Sequence, residues 1–126
     1  MSQPHENLIA WQRADDLCVA IHQLTNKRLP STERYELASQ MRRAAYSVAA
    51  NLAEGFASQS RAVRLRYARI SLGSLAEVGY GIHLAERLGY LSGDIARQMH
   101  SQLAQTAAPL HGLIKHLAEE WPARKE

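Results

Sequence analysis

Four arginines lie close together in a part of the chain that has no acidic residue. Neither Asp nor Glu occurs between Gly55 and Ala76. The same segment carries the densest run of charge in the sequence, namely Arg61, Arg64, Arg66 and Arg69. Arginine binds phosphate through a planar, bidentate fork, so we predict that these four residues bind nucleic acid.

Spacing divides the four arginines into two pairs. Side chains three residues apart share a helix face, so Arg61 pairs with Arg64, and Arg66 pairs with Arg69 in another direction. The first pair lies near the predicted start of a helix, where the helix dipole also attracts anions. Arg61 and Arg64 are therefore the strongest candidates for phosphate contacts.

A line of polar residues follows one edge of the preceding predicted helix at spacings of three or four. Its members are Gln40, Arg43, Ser47, Asn51 and Glu54. Small residues beside this line allow another helix to approach closely, and polar groups that become buried must be hydrogen-bonded. We therefore predict that this helix is the most enclosed one and that Asn51 is a structural residue.

The next helix offers partners for this line. If it folds back on the first, Arg43 lies opposite Ser74 and Glu77, and Glu54 comes near the first two arginines of the run. This arrangement predicts a network of ion pairs and amides that fixes the register of the helices. The alternative is a ligand site lined by Arg43, Asn51 and Glu77, which has no nucleophile with an activating base.

Other catalytic and metal-binding patterns are absent from the sequence. Cys18 is the single cysteine, so neither an intramolecular disulfide nor a cysteine cluster can form. No Glu-x-x-His spacing of the di-iron bundles occurs, and the histidines are scattered. Gly79 and Gly81 fall inside a predicted helix, not in a phosphate-binding loop. We predict no metal, no cofactor and no enzymatic activity.

Hydrophobic periodicity predicts the elements that must position these residues. Apolar residues recur at spacings of three and four in four segments, about residues 8–28, 33–56, 60–88 and 94–121. The connections between them are short, which makes consecutive helices antiparallel. The sequence therefore predicts one all-α domain, an antiparallel up-down-up-down four-helix bundle.

Local signals mark the helix ends. The predicted capping residues are Asn7 for the first helix, Ser31 or Thr32 for the second, and Ser92 or Asp94 for the fourth. Gly89 ends the third helix. Pro109 lies inside the fourth helix, where proline removes a backbone hydrogen bond, and it predicts a kink.

The third helix has more apolar surface than a monomeric bundle needs. One apolar seam is Leu65, Ala68, Leu72, Leu75, Gly79 and Ile82. A second, offset seam is Val63, Tyr67, Ile70, Ser74, Glu77, Gly81, Leu84 and Leu88. Because only one seam can face the core, the second predicts a subunit interface.

Composition limits the possible classes of protein. The chain has 126 residues, a net charge of +3, and twelve Arg among its fifteen basic residues. No apolar run has the length of about 18 residues that a membrane span needs, and the start does not read as a signal peptide. We expect a cytoplasmic protein that does not enter a membrane.

Several short motifs occur in an order that resembles one family. They are Trp11-Gln12-Arg13-Ala14, Pro30 with Glu33 to Tyr35, Ser39 to Ala44, Asn51-Leu52-Ala53-Glu54-Gly55-Phe56, Gly73-Ser74 with Glu77, and Leu88 to Leu91. Together they resemble the four-helix-bundle proteins encoded in intervening sequences of bacterial large-subunit rRNA genes. The resemblance implies a homopentamer. It extends more distantly to accessory proteins of diversity-generating retroelements, which are associated with nucleic acid.

Two interpretations of function follow from these observations. The first is a non-enzymatic oligomeric bundle that binds RNA or another nucleic acid. The second is a scaffold that binds a protein partner without nucleic acid. Binding that depends on salt concentration distinguishes the first from the second.

Overall fold

The computed structural model describes residues 3–119, in which four long helices form. Their bounds are Ile9–Arg28 for α1, Leu37–Phe56 for α2, Arg61–Arg87 for α3 and Gly93–Glu119 for α4. Each helix packs on its neighbours in sequence, and α1 also packs on α4 and closes the ring. The predicted all-α, up-down four-helix bundle is confirmed.

One hydrophobic core lies between the four helices. Its largest fully buried side chains include Leu17, Ile21, Met41, Leu52, Leu75, Ile82 and Leu110. Each such side chain contributes about 1.5–3 kcal/mol when it leaves water. The buried line of α3 is Ala68, Ser71, Leu75, Val78, Ile82 and Ala85. Three of these residues, Ala68, Leu75 and Ile82, belong to the first predicted seam, whereas Ile70 and Leu88 of the second seam remain 44% and 50% exposed.

Serine side chains cap the starts of α3 and α4, and a glycine follows the end of α3. The side chain of Ser60 accepts a hydrogen bond from the Val63 amide, and the side chain of Ser92 accepts one from the Ile95 amide, both at 3.2 Å. Gly89 has a φ of 85°, a left-handed conformation that glycine adopts without strain. The amides of Gly89 and Tyr90 then bond back to α3 carbonyls in a Schellman motif, which ends the helix.

The starts of α1 and α2 differ from the prediction. Asn7 belongs to a short 3-10 helix, Pro4–Asn7, and α1 begins at Ile9 without a side-chain cap. Ser31 and Thr32 lie in another 3-10 helix, Ser31–Glu33, and α2 begins at Leu37 instead of residue 33. The reason lies in Glu33, whose carboxylate accepts the Leu37 amide at 3.2 Å and so replaces the expected hydroxyl cap.

Helix α4 continues past its proline. Pro109 lies inside α4, which extends from Gly93 to Glu119. The kink at Pro109 stays a prediction, and the predicted helix end near residue 121 lies outside the described residues.

Helices α2 and α3 approach each other closely at two glycines. A Cβ atom added to Gly55 would lie 2.6 Å from the Tyr67 Cβ, and one added to Gly81 would lie 2.6 Å from the Met41 Cγ. Neither position has room for a larger residue unless its neighbour moves. The two glycines thus set the distance between the helices that carry most of the predicted polar residues.

Candidate nucleic-acid interface

A groove opens where the first turns of α3 lie beside the last turns of α4. Its volume is about 630 Å³. The lining residues are Arg61, Ala62, Leu65, Arg66, Arg69, Ile70, Leu117 and Ala118. Small and aliphatic side chains thus form the floor, and three arginines supply the charge. We call this feature the α3–α4 groove.

The arginines of the groove differ in exposure. Arg61 is half-buried, whereas Arg66 and Arg69 are exposed. The guanidinium of Arg66 lies over the ring of Tyr67, 5.1 Å from its centre, a cation–π contact that limits the motion of the side chain. Among residues 3–119, no acidic side chain lines the groove. Arg66 and Arg69 therefore present positive charge to solvent.

Arg64 does not belong to this groove. Its Nε donates a 2.7 Å hydrogen bond to the Ser58 carbonyl, and its guanidinium stacks over the Phe56 ring at 4.6 Å. These contacts tie the first turn of α3 to the α2–α3 connection. Arg61 lines the α3–α4 groove with Arg66 and Arg69, and it also lines a second cleft together with Arg64. The predicted pairing of Arg61 with Arg64 agrees with this second cleft, and Arg61 lies between the two predicted faces.

The structure brings together only the middle of the predicted polar line. The hydroxyl oxygens of Ser47 and Ser74 lie 2.8 Å apart and join α2 to α3. The Nδ2 of Asn51 donates to both the carbonyl and the hydroxyl oxygen of Ser47, each at 2.8 Å. All three residues are half-buried. They satisfy one another, as the structural interpretation requires.

The charged members of the line lie outside this cluster. Gln40, Arg43, Glu54 and Glu77 are exposed. Glu54 accepts a 3.2 Å hydrogen bond from the Tyr67 hydroxyl. Within residues 3–119, no ion pair joins Arg43 to Glu77 or Glu54 to Arg64. The predicted network of opposite charges does not form, because long exposed side chains gain little from pairing and stay solvated.

Sequence analysis missed Ser71, although it makes the most buried contact between these helices. Its hydroxyl is fully buried and donates a 2.8 Å hydrogen bond to the Val48 carbonyl of α2. A signal was present in the sequence, since Ser71 stands three residues after Ala68 and four before Leu75. The predicted seam passes from Ala68 to Leu75 through Leu72 and therefore does not include Ser71.

The single cysteine lies half-buried on α1. Burial, with a smaller contribution from the charge of Asp15, raises the pKa of the Cys18 thiol. The raised pKa leaves little thiolate, which is the reactive form. Among residues 3–119, no three His, Cys, Asp or Glu side chains come close enough to hold a metal ion. No helix in the same range is long and apolar enough to cross a membrane.

Fold and groove together define an all-α four-helix bundle with an arginine-lined surface groove. Residues 6–112 match the family model described as 23S rRNA-intervening sequence protein. That match covers most of the chain, so the protein belongs to the 23S rRNA-intervening sequence protein family.

A solved structure supports the fold assignment. It is the crystal structure of a protein of unknown function from the S23 ribosomal protein family of Bacteroides thetaiotaomicron, with a TM-score of 0.78 and 21% sequence identity. The similarity covers 85% of this chain and 99% of that one. At this identity the similarity supports the fold alone. A search of curated proteins gave no match.

Proposed function

We propose that the protein is a non-enzymatic oligomeric bundle that binds RNA or another nucleic acid through the α3–α4 groove. The observation that carries this proposal is the exposure of Arg66 and Arg69 beside a lining in which the described part of the chain places no acidic residue. Guanidinium groups bind phosphate oxygens, and the aliphatic floor offers Leu65 and Ile70 to sugars or base faces. The distant resemblance to retroelement accessory proteins agrees with a nucleic-acid partner.

The proposal includes a cytoplasmic homopentamer, the assembly that the family resemblance implies. Several large apolar side chains of the single chain are exposed, among them Ile70, Tyr80, Leu88 and Tyr46. A ring would cover part of this surface and would repeat the groove around its axis. Weak grooves could then bind one polyanion together by avidity. Light scattering tests the assembly, and a mass near 14.1 kDa would contradict it.

The groove is tested by the salt dependence of RNA binding. Fluorescence anisotropy with a single-stranded RNA should give an affinity that falls steeply as salt rises. Each phosphate contact contributes about 0.7 to the slope of log affinity against log salt. The Arg66→Gln, Arg69→Gln double variant should therefore lower the slope by about 1.4 per groove that contacts the RNA.

A variant with the same change in charge serves as the control. Arg28 and Arg87 are exposed at the opposite end of the bundle. The Arg28→Gln, Arg87→Gln double variant should leave the slope close to that of the unchanged protein. If the slope fell equally in both double variants, total charge and not the groove would govern RNA binding.

The second candidate function is a scaffold for a protein partner. The exposed Tyr46 and Tyr80, 66% and 62% accessible, favour it, because tyrosine is common in protein interfaces. Failure to retain any RNA at low salt, with an intact oligomer, would favour this candidate. Capture of a purified protein partner by the folded protein, unaffected by nuclease, would support it directly.

A further inference from the structure

A second group of arginines surrounds a small cleft at the other end of the bundle, where α1 turns into α2. The cleft has a volume of about 150 Å³. Its lining residues are Thr25, Asn26, Leu29, Pro30, Ser31, Arg34, Ala38 and Arg42. We call it the corner cleft. It is separated from the α3–α4 groove by most of the length of α3, so the two surfaces are independent.

A buried threonine holds Arg42 in place. Thr25 is 2% exposed, and its Oγ1 donates a 2.9 Å hydrogen bond to the Ile21 carbonyl. The same oxygen accepts the Nε–H of Arg42 at 2.7 Å. This bond uses only one edge of the guanidinium. The terminal nitrogens of Arg42 make no ion pair within residues 3–119 and are available to a ligand.

The charges around the cleft favour an anion. Arg34 and Arg42 both line it, and none of the acidic residues that the structure describes does. The nearest acid in sequence, Glu33, is occupied elsewhere, because its carboxylate accepts the Tyr90 hydroxyl at 2.8 Å and the Leu37 amide at 3.2 Å. The C-terminus of α1 adds a partial negative charge of about half a unit, which two guanidinium charges outweigh.

The volume and the polar lining of the cleft indicate which ligand it can bind. A cavity needs about 10–15 Å³ of such volume to hold one water molecule, so the cleft has space for a phosphate group with some waters. Thr25, Ser31 and Asn26 add polar groups near the two arginines. We propose that the corner cleft binds a phosphate group, held by Arg34 and Arg42.

Titration with inorganic phosphate tests this proposal. The Nε–H signal of Arg42 is followed by NMR at constant ionic strength, with chloride exchanged for phosphate. A saturable shift of this signal is expected. Arg34→Gln should weaken the apparent affinity by about tenfold or more, because one charge-assisted bond is lost. Arg34 is exposed and makes no ion pair in the described chain, so this variant should fold.

Two control variants distinguish a specific contact of Arg34 with phosphate from a general effect of charge. Arg28→Gln removes the same charge from the same end of the bundle without altering the lining, and should change the affinity by less than about twofold. Arg66→Gln with Arg69→Gln should also leave phosphate binding unchanged, since those residues lie in the other groove. The proposal would be overturned if phosphate caused no saturable shift of the Arg42 signal. It would also be overturned if the Arg28 or the Arg66 and Arg69 variants lost as much phosphate affinity as Arg34→Gln.

Two further ligands identify the source of the phosphate. Adenosine 5′-monophosphate should bind as inorganic phosphate does if the site takes the phosphate monoester of a nucleotide, and should fail to bind if it takes only the free ion. Adenosine, which lacks phosphate, should not move the Arg42 signal. A shift with adenosine equal to that with its monophosphate would contradict recognition of the phosphate group.

Discussion

The two sides of α3 differ in how completely their polar groups are satisfied. Toward α2, glycines allow close approach, and the hydroxyls of Ser47, Ser71 and Ser74 all have hydrogen-bond partners. Toward the end of α4, Arg66 and Arg69 line an open groove of about 630 Å³, and no acidic residue within residues 3–119 lines it. One helix therefore carries a closed, structural face and an open face that can bind a ligand.

The comparison shows that polar residues at helical spacing do not by themselves mark a site. On the α2 side, short side chains reach one another and leave no capacity for a ligand. On the α4 side, Arg66 and Arg69 are exposed and make no ion pair within residues 3–119. The sign of the exposed charges distinguishes the two faces, because Arg43 and Glu77 on the α2 side are opposite in charge whereas Arg66 and Arg69 are both positive.

The largest expected effect is at the closest approach of α2 and α3. Gly55→Ala would place a Cβ 2.6 Å from the Tyr67 Cβ, an atom fixed to the backbone of α3. The helices would have to separate, so we expect a loss of about 1–3 kcal/mol in the free energy of unfolding. Urea denaturation followed by circular dichroism measures this loss.

Gly112→Ala is the matched control, since an added Cβ there meets nothing within 4 Å. In the interior of α4, alanine should stabilise the protein by about 0.5–1 kcal/mol relative to glycine. A Gly55→Ala protein as stable as the unchanged one would mean that the α2–α3 face is looser than described.

Ser71→Ala should have the next largest effect. The substitution removes the hydrogen bond from the buried hydroxyl to the Val48 carbonyl, and the lost bond should cost about 0.5–1.5 kcal/mol. The same denaturation measurement applies, with RNA affinity measured in parallel. Unchanged stability together with weaker RNA binding would place Ser71 in a binding site and contradict the closed face.

Asn51→Leu tests the structural role predicted for the amide. Loss of its bonds to Ser47 should cost about 1 kcal/mol and should disturb assembly, because the half-buried edge of α2 becomes apolar. Thermal melting and light scattering follow these two properties. The structural assignment would be wrong if the melting temperature and oligomeric mass were kept while only a binding activity was lost.

The smallest expected effect on stability is at the groove. Arg66 and Arg69 are exposed and make no ion pair within residues 3–119, so replacing each by Gln should change the free energy of unfolding by less than about 0.5 kcal/mol. Denaturation of the double variant checks this. A large loss would mean that these arginines hold the bundle together, which would remove the contrast with the α2 side.

The positions of the helices could be predicted from the sequence more accurately than the contacts of their side chains. Periodicity located the four helices, and Ser92 and Gly89 lie at helix ends as predicted. The start of α2 was misplaced because the carboxylate of Glu33, four residues before Leu37, replaced the expected hydroxyl cap. Residue spacing locates the helix ends approximately. It does not show which of several nearby polar side chains will accept hydrogen bonds from the backbone amides.

The grouping of the arginines required the structure for a different reason. Spacing pairs Arg61 with Arg64, and these two residues line one cleft, but spacing does not show that Arg61 also lines the α3–α4 groove. Arg64 is held outside that groove by the Ser58 carbonyl and the Phe56 ring. The width of the groove also depends on α4, which is distant in sequence. Neither influence is visible in the periodicity of α3 alone.

The most direct test of the account is protection of individual arginines from chemical modification. Phenylglyoxal reacts with exposed guanidinium groups, and mass spectrometry locates the products in the folded protein with and without bound RNA. We expect RNA to protect Arg66 and Arg69 and to leave Arg28 and Arg87 reactive. Equal modification of Arg66 and Arg69 in the free and RNA-bound protein would contradict binding through the α3–α4 groove.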